Sequence, residues 1–407
     1  MTLRGWKTDA VGNLCTRISV GIVVKPSQYY IDDRKGVRAF RSANVGLGKI
    51  IDRDWVYISE EGHKANAKSQ LKIGDVLVVR TGAPGTACVL TKEYEGSNCI
   101  DIVFARPDQT KMVPEYLAAL TNSNVGRRHV GSNTSGLAQK HFNVGAFKEL
   151  VVNYPPLSEQ RRIAQILRTW DDAIEKLEAL RAAKEKRRKG ILQVLLGIDR
   201  PFSTHWEIKS LDEIVERIRR TNDGGDHPVM TISAKSGFLM QSDKFARDMA
   251  GSSVDRYTLL HRGEFAYNKG NSKTAPYGCI FPLDRPSAVI PFVYFCFKLD
   301  ESLHHPFYVH LFAAGALHHQ LSRLINSGVR NDGLLNLYAD DFFSCEVPVP
   351  PIEEQQRIAT AITAANDEIA LLDDEIEALK RQKRGLMQKL LTGEWRVSIS
   401  SDGDNVQ

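Results

Sequence analysis

The sequence predicts an α+β fold: two mixed α/β domains and two long helices that pair as an antiparallel coiled coil. Two observations lead to this prediction. The chain has 407 residues, which is too long for one ordinary hydrophobic core. Its second half also repeats the organisation of its first half, so the chain is predicted to be a pseudo-two-fold internal repeat.

The repeat is clearest in two segments that share the pattern Pro-Pro-x-x-Glu-Gln-x-Arg-Ile-Ala. They begin at Pro155 and Pro350 and align without gaps. A proline pair ends a preceding strand, and the polar residues after it suit the first turn of a helix. The same register continues through further identical pairs, namely Asp172/Asp367, Ile174/Ile369, Leu177/Leu372, Gly190/Gly385 and Leu195-Leu196/Leu390-Leu391.

Each proline pair is followed by a long segment with apolar residues spaced alternately three and four apart. This spacing is that of the a and d positions of a coiled coil, so each helix needs a partner helix. In the first helix the pattern is interrupted by Arg181, Lys184 and Arg188. The predicted seam residues are Ile163, Leu167, Trp170, Ile174, Leu177, Ile358, Ile362, Ile369, Leu372, Ile376, Leu379 and Leu386.

The domain limits follow from these helices. We predict a first domain, a first helical spacer, a second domain, a second helical spacer and a flexible tail at residues 1–153, 154–198, 199–349, 350–396 and 397–407. Inside the domains, apolar patterns predict strands at 75–79, 99–104 and 288–297. They predict helices at 115–122 and 307–326.

The composition is that of a globular protein, with 42% hydrophobic and 25% charged residues. The six cysteines are scattered, which favours reduced thiols over a disulfide framework or a zinc site. The N-terminal residues lack the apolar segment of a secretory signal, and the run at 288–297 is too short to cross a bilayer. We therefore expect a cytoplasmic protein.

The net charge of +5 is unevenly distributed along the chain. Residues 1–153 carry 21 Lys and Arg against 14 Asp and Glu, whereas residues 350–407 carry 7 against 11. The first half would attract a polyanion through its charge alone, and the second half would need local basic patches.

The sequence contains neither a G-x-x-x-x-G-K-[ST] phosphate loop nor an H-E-x-x-H zinc motif. Pro107-Asp108 lacks the acidic-x-Lys strand of a nuclease and is predicted to be a surface turn. Eight of the 11 histidines lie between His205 and His319, but without metal-ligand spacing. We predict no catalytic residue, metal or cofactor in this chain.

Basic, amide and hydroxyl side chains instead recur in turns of both halves, which suits a DNA-binding surface. Arg can bind guanine O6 and N7, Asn can bind adenine N6 and N7, and Lys and Ser bind phosphates. The candidates in the first domain are Arg38, Arg41, Ser42, Asn44, Arg80, Thr81 and Lys140. Those in the second domain are Arg219, Arg220, Thr221, Asn268, Lys269, Asn271, Lys273 and Arg330.

The two proline-pair segments, each of which closes a domain, resemble the conserved helical regions of type I restriction-modification specificity subunits. Within the first domain, the stretch from Phe40 to Val45 is similar to the family's Arg-x-x-Asn-Ile strand. Ile73-Gly74-Asp75-Val76-Leu77 with Arg80-Thr81-Gly82 resembles its Gly-Asp strand and the turn that follows. The resemblance covers residues 1–396 and departs from the family pattern at Glu264, which replaces the second Asp.

The resemblance implies a non-catalytic subunit with two target recognition domains, each reading one half of a bipartite site in double-stranded DNA. The paired helices would set the gap between the halves and dock two methyltransferase subunits, which endonuclease/translocase subunits would join. S-adenosylmethionine, ATP and Mg are then expected in the partner subunits. The charged interruption of the first helix indicates either partial pairing or a basic face that meets DNA or a methyltransferase.

Two alternatives remain open at this point. A separate recognition subunit of another restriction-modification class would lie beside a gene for a fused nuclease-methyltransferase. A structural or regulatory coiled-coil protein without a DNA function would show no salt-sensitive DNA binding, even with a methyltransferase present.

Overall fold

The computed structural model describes residues 5–32, 35–132, 142–197, 206–244, 251–270, 274–325 and 334–397. The chain divides into two compact units. One comprises Met1–Ala179 with Asp374–Gln407, and the other is Leu180–Asp373. Each unit therefore contains one globular domain and a part of both long helices.

The first domain mixes short strands with short helices. Its strands are β1 Lys7–Ala10, β2 Cys15–Val20, β3 Tyr30–Ile31, β4 Val37–Phe40, β5 Val56–Ile58, β6 Val76–Val79, β7 Ala87–Val89, β8 Asn98–Cys99, β9 Ile102–Pro107 and β10 Val151–Tyr154. Its α-helices are α1 Glu60–Ala65, α2 Pro114–Asn122, α3 Asn124–Ser132 and α4 Val144–Lys148, and the long helix α5 follows at Leu157–Leu196. Single 3₁₀ turns lie at Val11–Leu14, Pro26–Tyr29, Ser42–Asn44, Ala67–Ser69 and Lys92–Tyr94.

The second domain has a matching succession of elements. Its strands are β11 Glu207–Ser210, β12 Val215–Ile218, β13 Met230–Ser233, β14 Gly237–Met240, β15 Thr258–His261, β16 Phe265–Asn268, β17 Cys279–Pro282, β18 Ser287–Ile290, β19 Phe295–Leu299 and β20 Glu346–Val349. Its α-helices are α6 Leu211–Ile214, α7 Gln241–Lys244, α8 His305–Ala313, α9 His318–Leu324 and α10 Ala339–Phe343, and the long helix α11 follows at Ile352–Leu391. A 3₁₀ helix lies at Gly251–Arg256.

Each domain has a main sheet of four strands, and the two main sheets have the same topology. The strand order is β2-β9-β6-β7 in the first domain and β12-β19-β16-β17 in the second, with antiparallel neighbours throughout. In each domain an antiparallel ribbon, β1-β10 or β11-β20, pairs the first strand with the strand that precedes the long helix. The shared order confirms the internal repeat predicted from the sequence.

The start of each long helix is part of a domain core. Ile163 and Leu167 of α5 are buried with Tyr116 and Phe147 of the first domain. Ile358 and Ile362 of α11 are buried with aromatic residues of the second domain. Complete burial of such a side chain contributes about 1.5–3 kcal/mol, so each helix is anchored in its own domain.

Within each unit the two long helices also pack together and run antiparallel. Leu390 and Leu391, at the end of α11, lie in the same core as the start of α5. Leu196, at the end of α5, lies in the same core as the start of α11. Every predicted seam residue is buried or half-buried. The predicted coiled coil is therefore confirmed.

The charged interruption of the first helix does not separate the helices, which corrects the prediction of partial pairing. Arg181 Nε and Nη2 donate to the two carboxylate oxygens of Asp373, at 2.8 and 3.0 Å. Lys184 Nζ lies 2.8 Å from Glu368 Oε2. A charged residue at an a or d position is compatible with pairing when the facing helix supplies an opposite charge at the matching level.

Three predicted elements are each divided in two. The strand predicted at 99–104 becomes the end of β8 and the start of β9, because Asp101 between them adopts a left-handed conformation with φ +46°. The apolar run at 288–297 forms β18 and β19, which Pro291 separates because proline cannot donate to a ladder. The helix predicted at 307–326 ends at Ala313 and resumes at His318, because Gly315 adopts a left-handed conformation with φ +81°. Asn326 and the predicted tail beyond Val397 lie outside the described residues.

Candidate nucleic-acid interface

Arg38 on β4 belongs to a cluster of cationic and aromatic side chains in the first domain. Its guanidinium lies 5.5 Å from the ring centroids of both Trp55 and Tyr94, and these two rings stack on each other. The Trp55 indole N–H donates to Asp52 Oδ1 at 2.6 Å. Cation–π contacts hold Arg38 in one orientation at the surface, which suits a side chain that must meet a DNA group in a defined geometry. The sequence did not indicate Trp55, which follows Arg38 by 17 positions.

The segment after β4 is organised by Asn44, which is fully buried. Its side chain accepts from the Arg41 N–H at 3.0 Å and donates to the carbonyl oxygens of Ile51 and Arg53. The predicted base contact of Asn44 is therefore corrected to a structural role, because both ends of its amide are used inside the protein. Arg41 donates to the Asp54 carbonyl at 2.6 Å, and Ser42 is half-buried beside it.

Arg80 and Thr81 lie where β6 ends, and both are half-buried. Arg80 Nη1 donates to Asp101 Oδ1 at 2.7 Å. Asp101 adopts a left-handed conformation with φ +46° between β8 and β9. The pair therefore connects the turn after β6 to the neighbouring strand connection, and the predicted DNA contact of Arg80 and Thr81 stays a prediction.

The two Gly-acid motifs are Gly74-Asp75 and Gly263-Glu264. In both, the acidic side chain stabilises a turn, and a different arginine neutralises its charge. Asp75 is fully buried, accepts from the Lys72 N–H and forms a double hydrogen bond with Arg106 of β9, at 2.7 Å each. Glu264 accepts from the His261 N–H at 2.7 Å and pairs with Arg220. The replacement of Asp by Glu therefore preserves the turn. The Arg220 guanidinium is bound by Glu264 and by the Leu259 carbonyl, and its predicted DNA contact stays a prediction.

The other candidates of the second domain differ in their surroundings. Arg219 and Thr221 are exposed at the end of β12. Asn268 donates to the Ile232 carbonyl and accepts from the Gly270 N–H, so its predicted base contact is corrected to a structural role. Lys269 Nζ lies 5.1 Å from the Phe295 ring centroid. Four candidates lie outside the described residues, namely Lys140, Asn271, Lys273 and Arg330.

The repeated Glu-Gln dipeptide lies where each domain meets its long helix. Gln160 and Gln355 are buried, and each binds backbone groups of its own domain. The glutamates that precede these glutamines bind different partners. Buried Glu159 accepts two hydrogen bonds from Arg396, at 2.8 and 2.9 Å, whereas Glu354 accepts one from the Trp206 indole N–H. The sequence repeat located these positions but gave no indication of their partners.

The described part of the chain offers little for catalysis. It contains no group of three His, Cys, Asp or Glu side chains placed to hold a metal ion. Burial raises the pKa of the Cys88 thiol to about 12, so this thiol is protonated at neutral pH. The Asp108 carboxylate is bound by Thr110 within a turn, as the sequence predicted. A cavity beside Tyr267 and His318 has a volume of about 20 Å³, room for little more than one water molecule.

Comparisons with known proteins agree with this geometry. Residues 40–184 match the family described as "Type I restriction modification DNA specificity domain". The chain is 22% identical to the specificity subunit of the type I restriction enzyme MjaVIII of Methanocaldococcus jannaschii, over 75% of this chain and 78% of the relative. It is 21% identical to the specificity subunit of the type I restriction enzyme EcoKI of Escherichia coli K12, over 98% and 90%.

The fold is that of a solved specificity subunit. The structure of the type I restriction-modification S subunit from M. genitalium aligns with a TM-score of 0.54 at 14% identity, over 95% of this chain and 96% of that one. The resemblance noted in the proline-pair segments is confirmed. The chain is thus similar, over most of its length, to specificity subunits of type I restriction-modification systems. Within the described ranges, no helix has the length and hydropathy of a membrane span.

Proposed function

We propose that each domain of this chain reads one half of a bipartite site in double-stranded DNA. In this proposal the two long helices set the length of the unread gap and dock two methyltransferase subunits, which endonuclease/translocase subunits join. The chain itself carries no catalytic residue. S-adenosylmethionine, ATP and Mg are then bound by the partner subunits, and the complex works in the cytoplasm.

One observation carries this proposal, namely that the two domains share a main sheet and a junction but differ in their outer strands. The main sheets have the same strand order, and a buried glutamine holds each domain to its helix. The outer strands form one four-stranded sheet, β3-β5-β4-β8, in the first domain. In the second domain they form two pairs, β13-β14 and β15-β18, which a single parallel bridge between Val229 and Val289 connects. Similar junctions suit identical docking partners, and different outer surfaces suit different half-sites.

The experiment is to delete the gene from a host with an active system and to map adenine methylation by single-molecule sequencing. The expected result is the loss of one methylated motif, which consists of two specified blocks separated by unspecified bases. Restoring the gene on a plasmid should restore the same motif. Unchanged methylation after deletion would contradict the proposal, and so would the loss of a motif that has a single continuous block.

A binding measurement separates this function from that of a structural coiled-coil protein. The complex with the methyltransferase should bind DNA with an affinity that falls steeply as salt rises, because phosphate contacts release counterions. A methyltransferase complex that shows no salt-sensitive DNA binding would favour the structural alternative.

A further inference from the structure

The two repeated glutamines make closely similar sets of hydrogen bonds in the two units. Gln160 is fully buried and Gln355 is 2% exposed. Gln160 Oε1 accepts from the N–H of Val113, the residue that caps α2, at 2.8 Å. Gln355 Oε1 accepts from the N–H of His304, the residue that caps α8, at 2.9 Å. The equivalent helix of each domain is therefore held at its N-cap residue by the long helix.

The other end of each amide binds the connection that leads into the long helix. Gln160 Nε2 donates to the carbonyl oxygens of Pro155 and Lys111, at 2.9 and 3.0 Å. Gln355 Nε2 donates to the Pro350 carbonyl at 2.7 Å. One side chain thus connects three segments: the strand-to-helix connection, the long helix and the loop before the domain helix.

The chemistry of the site requires an amide. The side chain must accept from one N–H and donate to a carbonyl in a place that water does not reach. Glutamate of the same size has no N–H to donate, and its charge would be buried beside carbonyl oxygens. The residue that follows differs between the copies, Arg161 against Gln356, whereas the Glu-Gln dipeptide is the same.

We propose that Gln160 and Gln355 are positioning residues that set the angle at which each domain leaves its long helix, and so the length of the DNA gap. This inference rests on the proposed function. One additional base pair displaces a half-site by about 3.4 Å and rotates it by roughly 34° around the DNA axis. A domain that is firmly oriented on its helix discriminates between such gaps, and a loosely held domain accepts several of them.

The test uses the full chain in complex with its methyltransferase partner. The DNA panel carries the mapped half-sites with the natural gap and with gaps shortened or lengthened by one base pair, and the methylation rate is measured on each. The variants are Gln160→Glu and Gln355→Glu. Gln356→Glu is the matched control, because it makes the same change of charge at the adjacent, exposed position.

Wild type and Gln356→Glu should both prefer the natural gap strongly. In Gln160→Glu and in Gln355→Glu the ratio of rates between the natural and the altered gaps should fall about tenfold, while the base preference within each half-site is unchanged. If Gln355→Glu does not fold, Gln355→Asn keeps an amide that is too short to reach both partners, and the same fall is expected.

A merely structural role would give a different result. The variants would then lose melting temperature and lose rate in the same proportion on every gap, and this outcome would overturn the inference. The proposed function fails separately, namely when the wild-type complex shows no preference for a bipartite site.

Discussion

The two domains share the sheet that adjoins the long helix and differ in the strands that lie away from it. The order β2-β9-β6-β7 matches β12-β19-β16-β17 strand for strand. The outer strands correspond only in part. The parallel pair of β4 with β8 in the first domain is matched by a single parallel bridge between Val229 and Val289 in the second, where β14 pairs with β13 and β15 pairs with β18. The difference indicates that the anchoring part of each domain is constrained by a common geometry, whereas the outer part is free to diverge with the half-site.

The same contrast appears in single residues. The acid of each Gly-acid motif binds the N–H three residues before it in both domains. Its basic partner comes from β9 in the first domain and from the segment after β12 in the second. The turn is therefore retained, and the side chain that neutralises the buried carboxylate is replaceable.

The largest expected effect comes from removing these acids. Asp75→Ala leaves Arg106 without its buried partner and should lower the unfolding free energy of the first unit by about 3–5 kcal/mol. Glu264→Ala should cost the second unit only about 1 kcal/mol, because Arg220 is 41% exposed and can be hydrated. Native-state hydrogen exchange of β6 and β16 measures each unit by itself. Equal losses would contradict the distinction between the two pairs.

The next effect concerns the burial of the start of each long helix in the core of its own domain. Ile163→Ala and Ile358→Ala occupy equivalent positions, and both side chains are buried. Each should lower the stability of its own unit by about 2–4 kcal/mol through the cavity that it leaves. Val194→Ala is the control, because this side chain is 79% exposed, and it should change stability by less than about 0.5 kcal/mol. If only one of the two variants lowered the stability of its unit, the two junctions would not be equivalent.

A smaller effect is expected for the ion pairs between the helices. Arg181→Asp should weaken helix pairing in the second unit, and the double variant with Asp373→Arg should restore it. The coupling energy should be about 0.5–1 kcal/mol and should decrease in high salt, since both side chains are partly exposed. The measurement is a double-mutant cycle by hydrogen exchange of α5 and α11. A coupling of zero would show that this ion pair does not contribute to helix pairing.

The smallest effect is a difference in pH dependence between the units. Burial, with a contribution from Arg188, lowers the pKa of His310 from its ordinary value of 6.5. Its imidazole lies 2.8 Å from Thr363 Oγ1 on α11. Because the unfolded chain binds this proton more readily, the stabilisation is present above pH 6.5 and is lost as the pH falls below it. Hydrogen exchange at pH 7.5 and 5.5 should show the second unit losing stability, and His310→Gln should reduce the loss.

The long helices could be predicted from the sequence because their signals are local. A proline pair, a polar first turn and a three-four apolar spacing each act within a few residues. The structure has the helices within three residues of the expected starts and within five of the expected ends. Pro291 and Gly315 divided two predicted elements, and both are residues known to interrupt regular structure. The error lay in giving more weight to the apolar run than to the residue that interrupts it.

The candidate interface was harder to predict because the side-chain types that bind DNA bases also bind backbone groups within the protein. Asn44 and Asn268 were chosen for amides that can bind adenine, yet those amides bind loop carbonyl and N–H groups. Arg220 was chosen for its charge, which Glu264 neutralises from 44 positions away. Such partners are set by tertiary structure, so composition does not distinguish the side chains that shape these segments from those available for contact.

The central claim is that two domains read two separate blocks of DNA. The most direct test substitutes every base pair of the mapped site in turn and measures the binding of the methyltransferase complex to each DNA. The account predicts two blocks in which a mismatch costs about 1–3 kcal/mol, separated by positions where substitution has no effect. A single continuous block of sensitive positions, or uniform binding across the panel, would contradict it.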